Sequence, residues 1–427
     1  MYFPVYIARR IFKSSTTGYS GALVKLAIAS IALSVAVMLL STSIIKGFKT
    51  EISNKIYGFW GNIHITDTHS TRNFELRPID NIGALKDSIM TIGRLEYNSA
   101  RRGEPQIMKQ TIGGVASISP FITYPSIIST KADLEAIVLK GINDEYDQSN
   151  FAAYVREGGF IGLTDSVASR SIMISEQTAN RLKIKLGDPV NIHFLQDKNQ
   201  IKRRVKVAGL YRTGLEEYDK KFAFVDMRLI QQVVGWQEDQ IIGYEISVDD
   251  KADAEPIADY IYQELLPAGL YAETIEEKQS SIFEWLELQD INETMILFLM
   301  ILVAIINMST GLLILILERS KMIGILKSLG QTDWGVRMIF ILSAVYIICF
   351  ALLLGNILGL GIGWLQKKIG FLKLDEANYY LSEVPIEFDL GSILLINLGS
   401  ILVCGLFMIL PSFIITRIKP LDIIRFD

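Results

Sequence analysis

The chain has 427 residues, of which 50% are hydrophobic and 21% are charged, and its formal net charge is −4. This composition is too apolar for an ordinary soluble protein and too charged for one that lies wholly in a bilayer, so it predicts a membrane protein with one sizeable aqueous domain. The slight acidity and the absence of a basic stripe argue against a nucleic-acid partner. Cys349 and Cys404 both lie in apolar runs, so the aqueous part carries no disulfide framework. The three histidines, His64, His69 and His193, lack metal-ligand spacing, and no metal site is predicted.

The N-terminal residues 1–21 predict an interfacial helix followed by a polar linker, because aromatic residues alternate with Arg9, Arg10 and Lys13. A signal peptide is the alternative. It is disfavoured because the linker separates the basic residues from an apolar run that is too long for a signal sequence. That run, residues 22–45, predicts the first membrane helix. Its small residues Ala29, Ala32 and Ala36 predict a face for helix packing.

Residues 46–291 contain no membrane span and predict a large α+β domain. Two subdomains are expected, one split between residues 62–117 and 241–275, the other formed by residues 118–240. Helices are expected at residues 82–90, 175–184 and 253–266, the second with Ser175 as its cap. Strands are expected at residues 63–66, 136–142, 172–174, 190–194, 205–210, 222–225 and 241–248.

Three further membrane helices are predicted at residues 294–317, 338–365 and 390–416. Gly355, Gly359 and Gly363 form two overlapping G-x-x-x-G patterns in the third of these helices, which predicts close packing against another helix. Asn307 in the second membrane helix is expected to face another helix. A packing hydrogen bond is the favoured interpretation over a role in substrate passage. The predicted class is therefore an α-helical membrane protein with four membrane helices and an α+β domain inserted between the first and second.

The distribution of basic residues predicts the orientation in the membrane. Residues 1–25, the loop 318–337 and the tail 417–427 are rich in Arg and Lys, whereas the loop 366–389 carries more acidic than basic residues. The positive-inside rule then places both termini and the 318–337 loop in the cytoplasm, and the domain 46–291 and the loop 366–389 outside. The expected location is the bacterial inner membrane.

Residues 318–330, Glu-Arg-Ser-Lys-Met-Ile-Gly-Ile-Leu-Lys-Ser-Leu-Gly, form a short amphipathic segment between two membrane helices. A basic amphipathic helix in this position lies on lipid headgroups, docks on a soluble partner, or is a solvated loop helix. The residues predicted to matter for docking are the apolar positions, the two leading charged residues and the helix stop: Glu318, Arg319, Met322, Ile325, Leu326, Leu329 and Gly330.

This segment resembles the E-R-x-x-E-I-G-x-L-K-A-[LI]-G signature of the FtsX/MacB/LolC-LolE class of ABC-transporter permeases. Met322 replaces an acidic residue of that signature, and Ser328 replaces an alanine. Residues 41–48 and 58–65 resemble the LolC/LolE branch at the end of the first span. Residues 174–190 and the tail also resemble family elements. The resemblance implies that residues 318–330 rest on a cytoplasmic ATPase subunit.

Motifs for chemistry in this chain are absent. No G-x-x-x-x-G-K-[ST], G-x-S-x-G or H-E-x-x-H occurs, so the sequence predicts a mechanical transducer and not an enzyme. No cofactor is expected on this chain. ATP and Mg are expected on the partner ATPase.

The resemblance leaves three functions open. The favoured one is release of lipoproteins from the inner membrane. A MacB-type exporter of drugs or peptides and an FtsX-type regulator of an extracellular hydrolase are the alternatives. The expected partners are the ATPase, a second permease (identical or different), a lipoprotein substrate and membrane lipids. A periplasmic chaperone is a further candidate partner, although the stretch 195–203, where LolC-type permeases carry a longer proline-containing loop, is short.

A substrate cavity is expected between the outer halves of the first and second membrane helices, because an acylated substrate needs an apolar cavity that opens sideways to the lipid. Ordinary packing or lipid-facing positions are the simpler explanation for the same residues. The candidates are Val37, Met38, Leu40, Ser41, Leu297, Met300, Ile301 and Ala304.

Overall fold

A computed structural model describes residues 3–14, 19–69, 77–99, 107–130, 133–163, 167–196 and 199–417. The tail element 418–427, the linker residues 15–18 and residues 197–198 lie outside this description. The described residues divide into two compact units. The membrane unit comprises those of Met1–Glu51, Trp285–Lys373 and Glu383–Asp427, and the sheet unit comprises those of Ile52–Glu284 and Leu374–Ser382.

The membrane unit is helical because its sequence consists of long apolar runs that satisfy all backbone hydrogen bonds within a helix. Four helices among the described residues are long and apolar enough to cross a bilayer: Val24–Trp60, Ser280–Glu318, Asp333–Ile369 and Leu390–Thr416. The first three extend well beyond the predicted spans, because helical geometry continues into polar residues that the hydropathy criterion excludes. The helices before and after the sheet-forming part of the chain are α1 Phe3–Ser14, α2 Tyr19–Trp60, α10 Ser280–Glu318, α11 Ser320–Ser328, α12 Asp333–Ile369, α13 Glu376–Tyr379, α14 Leu390–Phe407, α15 Ile409–Ser412 and α16 Ile414–Arg417. Of these, the short α13 belongs to the sheet unit.

Between α2 and α10 in the chain lie the strands of the sheet unit. They are β1 Ile63–Asp67, β2 Ile79–Asp80, β3 Glu96–Asn98, β4 Met108–Gln110, β5 Val115–Ser129, β6 Leu134–Ile142, β7 Val155–Gly158, β8 Ser171–Ser175, β9 Pro189–Gln196, β10 Asn199–Tyr211, β11 Phe222–Asp226, β12 Gln240–Ile241, β13 Gly243–Val248 and β14 Leu270–Thr274. The helices are α3 Gly83–Met90, α4 Ser149–Ala152, α5 Glu176–Leu182, α6 Glu216–Lys221, α7 Met227–Val234, α8 Ala254–Tyr260 and α9 Ile275–Lys278. A 3₁₀ turn, Lys251–Asp253, precedes α8, and a π-helical turn, Ile261–Leu265, follows it.

One mixed sheet organises this unit, with strand order β14-β1-β13-β5-β6-β11-β8-β10-β7 and β9 paired to both β10 and β5. Most neighbours are antiparallel, whereas β10 with β8 and β11 with β6 are parallel. Strand β5 is the longest. Its first half pairs with β13 and its second half with β6 and β9, so it belongs to both ends of the sheet. The predicted division into two subdomains has one boundary inside this strand and stays a prediction.

Six of the seven predicted strands lie within an observed strand, whereas the predicted strand 241–248 is divided at Ile242 between β12 and β13. The predicted helices 82–90 and 175–184 are confirmed as α3 and α5, and the predicted helix 253–266 consists of the 3₁₀ turn's last residue, α8 and the π-helical turn. Ser175 also caps α5, because its hydroxyl accepts a hydrogen bond from the Thr178 N–H. Strands β2, β3, β4, β5, β7 and β14 were not predicted. The predicted loop 195–203 is wrong in extent, because Leu195 and Gln196 pair with residues of β10 in a hairpin that leaves only residues 197–198 between the two strands.

Candidate functional site

Helix α11, which lies in the segment resembling the family signature, is held firmly in the membrane unit. Ile323 and Gly324 are buried on its inner side. Lys327 donates to the carbonyl oxygen of Ile415 at 2.7 Å and pairs with the Asp333 carboxylate at 2.9 Å. Gly330 ends the segment with a φ of +89°, a conformation that favours glycine. These contacts tie α11 to the beginning of α12 and to the end of the last membrane helix.

An exposed apolar patch lies on and directly after this helix. Ile325, Leu329 and Trp334 have 55%, 79% and 60% of their surface exposed, and together they are called the coupling patch. Met322 and Leu326 instead pack partly against the buried helix core. Of the four apolar residues predicted for docking, only Ile325 and Leu329 are therefore exposed. Trp334 was not predicted from the sequence as a docking residue. It could have been found from its position in the first turn of α12, just after Thr332, whose hydroxyl caps the helix by accepting from the Gly335 N–H.

The other residues predicted for this segment frame the patch. Glu318 is exposed and is the last residue of α10, Arg319 is partly buried between the two helices, and Gly330 is exposed. Ile325 on α11, Leu329 at its end and Trp334 in the first turn of α12 are therefore exposed, while Ile323 and Gly324 of α11 are buried. Such a surface is suited to docking in a groove of a partner.

Polar contacts join α2 to α10 at one end of the membrane unit. The Thr42 hydroxyl donates to the Glu293 carboxylate at 2.7 Å, and Lys49 pairs with Asp290 at 2.6 Å. The rings of Phe48 and Trp285 also meet edge to face, with centroids 5.6 Å apart. Within one chain these two helices are therefore held together where the substrate cavity was expected to open.

The predicted cavity residues do not form one open surface in the single chain. Met38 and Ala304 are buried in the apolar core of the helices. Val37, Leu40, Ser41, Leu297, Met300 and Ile301 are partly exposed. The exposed apolar residues of α10 lie on another side of that helix: Met295, Phe298, Leu299, Leu302, Val303 and Ile306.

Helices α2 and α12 approach closely at glycine. A Cβ added to Gly355 would come within 2.7 Å of the Ala32 carbonyl oxygen, and one added to Gly359 would come within 3.1 Å of the Ala36 backbone. Gly363 instead lies against the ring of Phe388, outside the helices. Of the small face predicted on α2, Ala32 and Ala36 are buried there, whereas Ala29 is exposed.

An asparagine pair between α12 and α14 was not singled out in the sequence. Asn356 donates to Asn397 at 2.7 Å, Asn397 donates back at 3.1 Å, and each also donates to a carbonyl of its own helix. Asn307, the polar residue that was singled out, is only partly buried. The sequence alone could not single out Asn356 and Asn397, because each has its partner on another helix.

The end of helix α2 is buried in the sheet unit by a charged network. Lys140 is fully buried, donates to the Phe59 carbonyl oxygen, and pairs with Glu245 at 2.7 Å. His64 contacts the Trp60 carbonyl oxygen at 2.8 Å. Because the last carbonyls of a helix lack partners within the helix, these two side chains satisfy groups that would otherwise be buried unpaired.

Aromatic rings surround the Lys140 ammonium, which lies 4.9 Å and 4.5 Å from the ring centroids of Phe59 and Trp60. The rings of Tyr146 and Phe224 lie on its other sides. Burial lowers the pKa of Lys140, although the charge of Glu245 opposes that shift. Burial also raises the pKa of Glu245 to about 7, again opposed by its partner. The network joins α2, β6 and β13 at one point.

Within the described residues, no group of three or more His, Cys, Asp and Glu side chains could hold a metal ion. The features described above are mechanical ones: a pinned helix with an apolar patch, tight helix contacts, and a membrane helix whose end is embedded in a folded unit. They define the class of a helical membrane protein that carries a folded mixed-sheet unit.

Two family models together match residues 26–420. The MacB-like periplasmic core domain matches residues 26–263, and the FtsX-like permease C-terminal domain matches residues 294–420. The chain therefore belongs to the family of ABC-transporter permeases that combine these two domains. The family resemblance inferred from residues 318–330 is thereby confirmed.

Relatives of known name are similar along almost the whole chain. The chain is 20% identical to the "Lipoprotein-releasing system transmembrane protein LolC" of Neisseria meningitidis serogroup B, over 96% of this chain and 95% of that protein. It is 21% identical to the "Lipoprotein-releasing system transmembrane protein LolE" of Haemophilus influenzae, over 92% of each. A crystal structure of the extracellular domain of the noncanonic ABC-type transporter YknZ from Gram-positive bacteria aligns with a TM-score of 0.32 and 13% identity, covering 50% of this chain and 99% of that one.

Proposed function

We propose that this chain is the permease subunit of an ABC transporter that releases lipoproteins from the bacterial inner membrane. ATP and Mg are bound by a separate cytoplasmic ATPase, and this chain converts the movement of that subunit into movement of its helices and its sheet unit. The similarity to LolC and LolE along more than nine tenths of the chain supports this substrate class.

The coupling patch is the observation that carries the proposal. Ile325, Leu329 and Trp334 are exposed, yet the helix below them is pinned by Lys327 to two other segments. A partner that pushes on this patch would therefore displace α12 and the end of the last membrane helix together.

Substitution of Ile325 tests the docking. Ile325→Asp places a charge in the apolar contact, which costs several kcal/mol unless the charge is paired. We expect ATPase stimulation or assembly with the ATPase to fall, while membrane insertion stays normal. Ile325→Leu keeps the apolar contact and is the matched control. Equal assembly and stimulation in both variants would assign α11 to the lipid surface.

The proposed orientation places residues 318–337 in the cytoplasm and the sheet unit outside, and site-specific labelling checks it. Cysteine at Gln331 is expected to react only from the cytoplasmic side, and cysteine at Asn199 only from outside. Reaction of the Gln331 position from outside would contradict the coupling role of α11.

We place the substrate path beside the outer halves of α2 and α10, at an interface with a second permease that is either identical or different. The contacts of Thr42 and Lys49 close α2 against α10 within one chain, so entry of an acyl chain requires a partner helix or a separation of this pair. Val37 and Met300 are partly exposed positions from which a substrate could be reached without opening the buried core around Met38.

Photo-crosslinking tests this path. Crosslinkers at Val37 and Met300 are expected to capture lipoprotein without ATP and to release it when ATP is added. Leu394, an exposed residue of α14, is the control and should capture none. Equal capture at all three positions would contradict a substrate path beside α2 and α10. Capture of a small drug and no lipoprotein would favour a MacB-type exporter, which the match to the MacB-like core domain supports as the second candidate.

A periplasmic lipoprotein chaperone remains a candidate partner of the complex. The tight β9–β10 hairpin argues against its capture at this point of the chain, because only two residues separate the paired strands. An FtsX-type regulator of an extracellular hydrolase would couple the same motion to a different output. It is distinguished by activation of a hydrolase in the absence of lipoprotein release.

A further inference from the structure

The two arms of the loop between α12 and α14 are joined at residues 372–373 and 383–384, which are here called the neck. Gln366 is buried, and its amide group donates to the carbonyl oxygens of Leu372 and Val384 at 3.1 Å each while it accepts from the Leu372 N–H. Val384 donates to Leu372, and Lys373 and Glu383 form an antiparallel bridge. One side chain of α12 therefore holds both arms of the loop.

Beyond this neck, residues 374–382, here called the tip, belong to the sheet unit. The Glu376 carboxylate pairs with Arg212, just after β10, and the Tyr380 carbonyl oxygen accepts from Lys55 of α2 at 3.0 Å. Gly214 leaves room for all of these groups. A Cβ there would lie 2.8 Å from the Lys55 ammonium and 3.0 Å from the Glu376 carboxylate. The tip is thus seated between α2 and the segment after β10.

The second arm of the same loop contacts α2 within the membrane unit. Glu387 donates its N–H to the Ser43 carbonyl oxygen at 3.0 Å, and Lys46 pairs with Asp389 at 2.6 Å. A Cβ on Gly47 would lie 2.9 Å from the carbonyl oxygen of Pro385, so the loop backbone touches the helix backbone there. The loop therefore attaches to α2 at residues 43–47 and again at Lys55, about two helical turns further along.

We propose that this loop is a brace on α2, with Arg212 and Glu376 as the residues that position its tip. The inference rests on the proposed function, because it names the loop through which movement of α12 is passed to α2. Helix α12 begins with Asp333 beside the coupling patch, and Gln366 in its last turn holds the neck. Displacement of α12 is then carried through the loop to α2, at residues 43–47 and at Lys55.

The Arg212–Glu376 pair is suited to a positioning role because it is partly exposed. Its side chains are 47% and 22% exposed, and ion pairs of this kind contribute little to overall stability. Their removal should leave the protein folded and free only the tip. Glu176, which lies 3.5 Å from Arg212, contributes a weaker second contact.

The first test measures hydrogen exchange of the tip amides in the full chain assembled with its ATPase. Glu376→Gln and Arg212→Gln are each expected to speed exchange at residues 374–382 roughly two- to fivefold, the range that corresponds to one exposed ion pair. The double variant is expected to match either single variant, because both remove the same contact. Glu217→Gln breaks the exposed Lys221–Glu217 pair in the same unit and is the control, with no change at the tip.

The second test measures lipoprotein released per ATP hydrolysed by the same complexes. We expect this ratio to fall by the same factor in both single variants and the double variant, with ATPase binding unchanged and the Glu217→Gln control normal. Faster exchange at the tip with an unchanged ratio would overturn the brace, and so would additive effects of the two substitutions. A wild-type complex that moves no lipoprotein would contradict the proposed substrate. The brace is then decided by whether ATP alters exchange at residues 374–382 in the wild type and not in the variants.

Discussion

The sheet unit and the membrane unit are each stabilised by a different kind of internal contact. In the sheet unit, strands bury a continuous apolar core, and buried carboxylates pair with basic side chains, as Glu245 does with Lys140 and Asp226 does with Arg228. In the membrane unit, most apolar residues of α10 and the last membrane helix are not buried in the chain, and specificity comes from glycine contacts and polar pairs.

This difference follows from the solvent of each unit. Burial of apolar surface stabilises a fold in water, whereas lipid is as apolar as leucine and gives helices no such reason to associate. Close backbone approach at Gly355 and Gly359 and the Asn356–Asn397 pair then determine which helices meet. Helix α2 passes through both units, which makes it the element on which the two kinds of packing act together.

Loss of Lys140 should have the largest effect, because it would break the charged network of the sheet unit. Lys140→Met removes the partner of the buried Glu245 and is expected to cost about 3–5 kcal/mol of unfolding free energy, as measured by thermal or denaturant unfolding of the purified chain. Lys221→Met, at an exposed position, is the control and should stay within about 0.5 kcal/mol.

Adding Glu245→Gln to Lys140→Met removes the uncompensated charge and is expected to recover part of the loss. If the double variant were as unstable as Lys140→Met alone, the network would owe its importance to the Phe59 carbonyl and not to the ion pair.

A steric change would test the glycine contacts of the membrane unit. Gly359→Leu places a side chain against the Ala36 backbone, and overpacking of this kind costs typically about 1–3 kcal/mol. We expect a lower unfolding midpoint in detergent and weaker transmission from the ATPase. Gly361→Leu lies on the same helix with no atom within 4 Å of an added Cβ, so it should be tolerated. Equal loss in the two variants would show that α12 tolerates no bulk at either position and that the contact with α2 is not the cause.

The smallest effect is expected at the asparagine pair. Asn356→Leu and Asn397→Leu should each cost about 0.6–1.7 kcal/mol, the range found for hydrogen bonds between membrane helices. The double variant should cost less than the two losses added together, since one shared contact is removed. Full additivity in an unfolding double-mutant cycle would mean that each asparagine acts through its own helix carbonyl alone.

Several features of the fold could be predicted from residues that are close together in the sequence. The apolar runs predict four membrane helices because a length of about 20 apolar residues has few other uses. The apolar run 172–174 and the residues 205–210 predict strands, and Ser175 predicts a cap, because these signals depend on neighbours in the chain. The signature at residues 318–330 pointed to the permease family before any fold was known.

Other features depend on partners far apart in sequence, and only the tertiary structure decided them. Ile325 and Met322 have the same apolar character, yet one is exposed and the other packs inward, because α11 is turned by the bonds of Lys327. Lys140 reads as a surface lysine in a strand until Phe59 and Glu245 are brought to it by pairing across β5. The brace has the same origin, because Glu376 and Arg212 are 164 residues apart and no local pattern relates them.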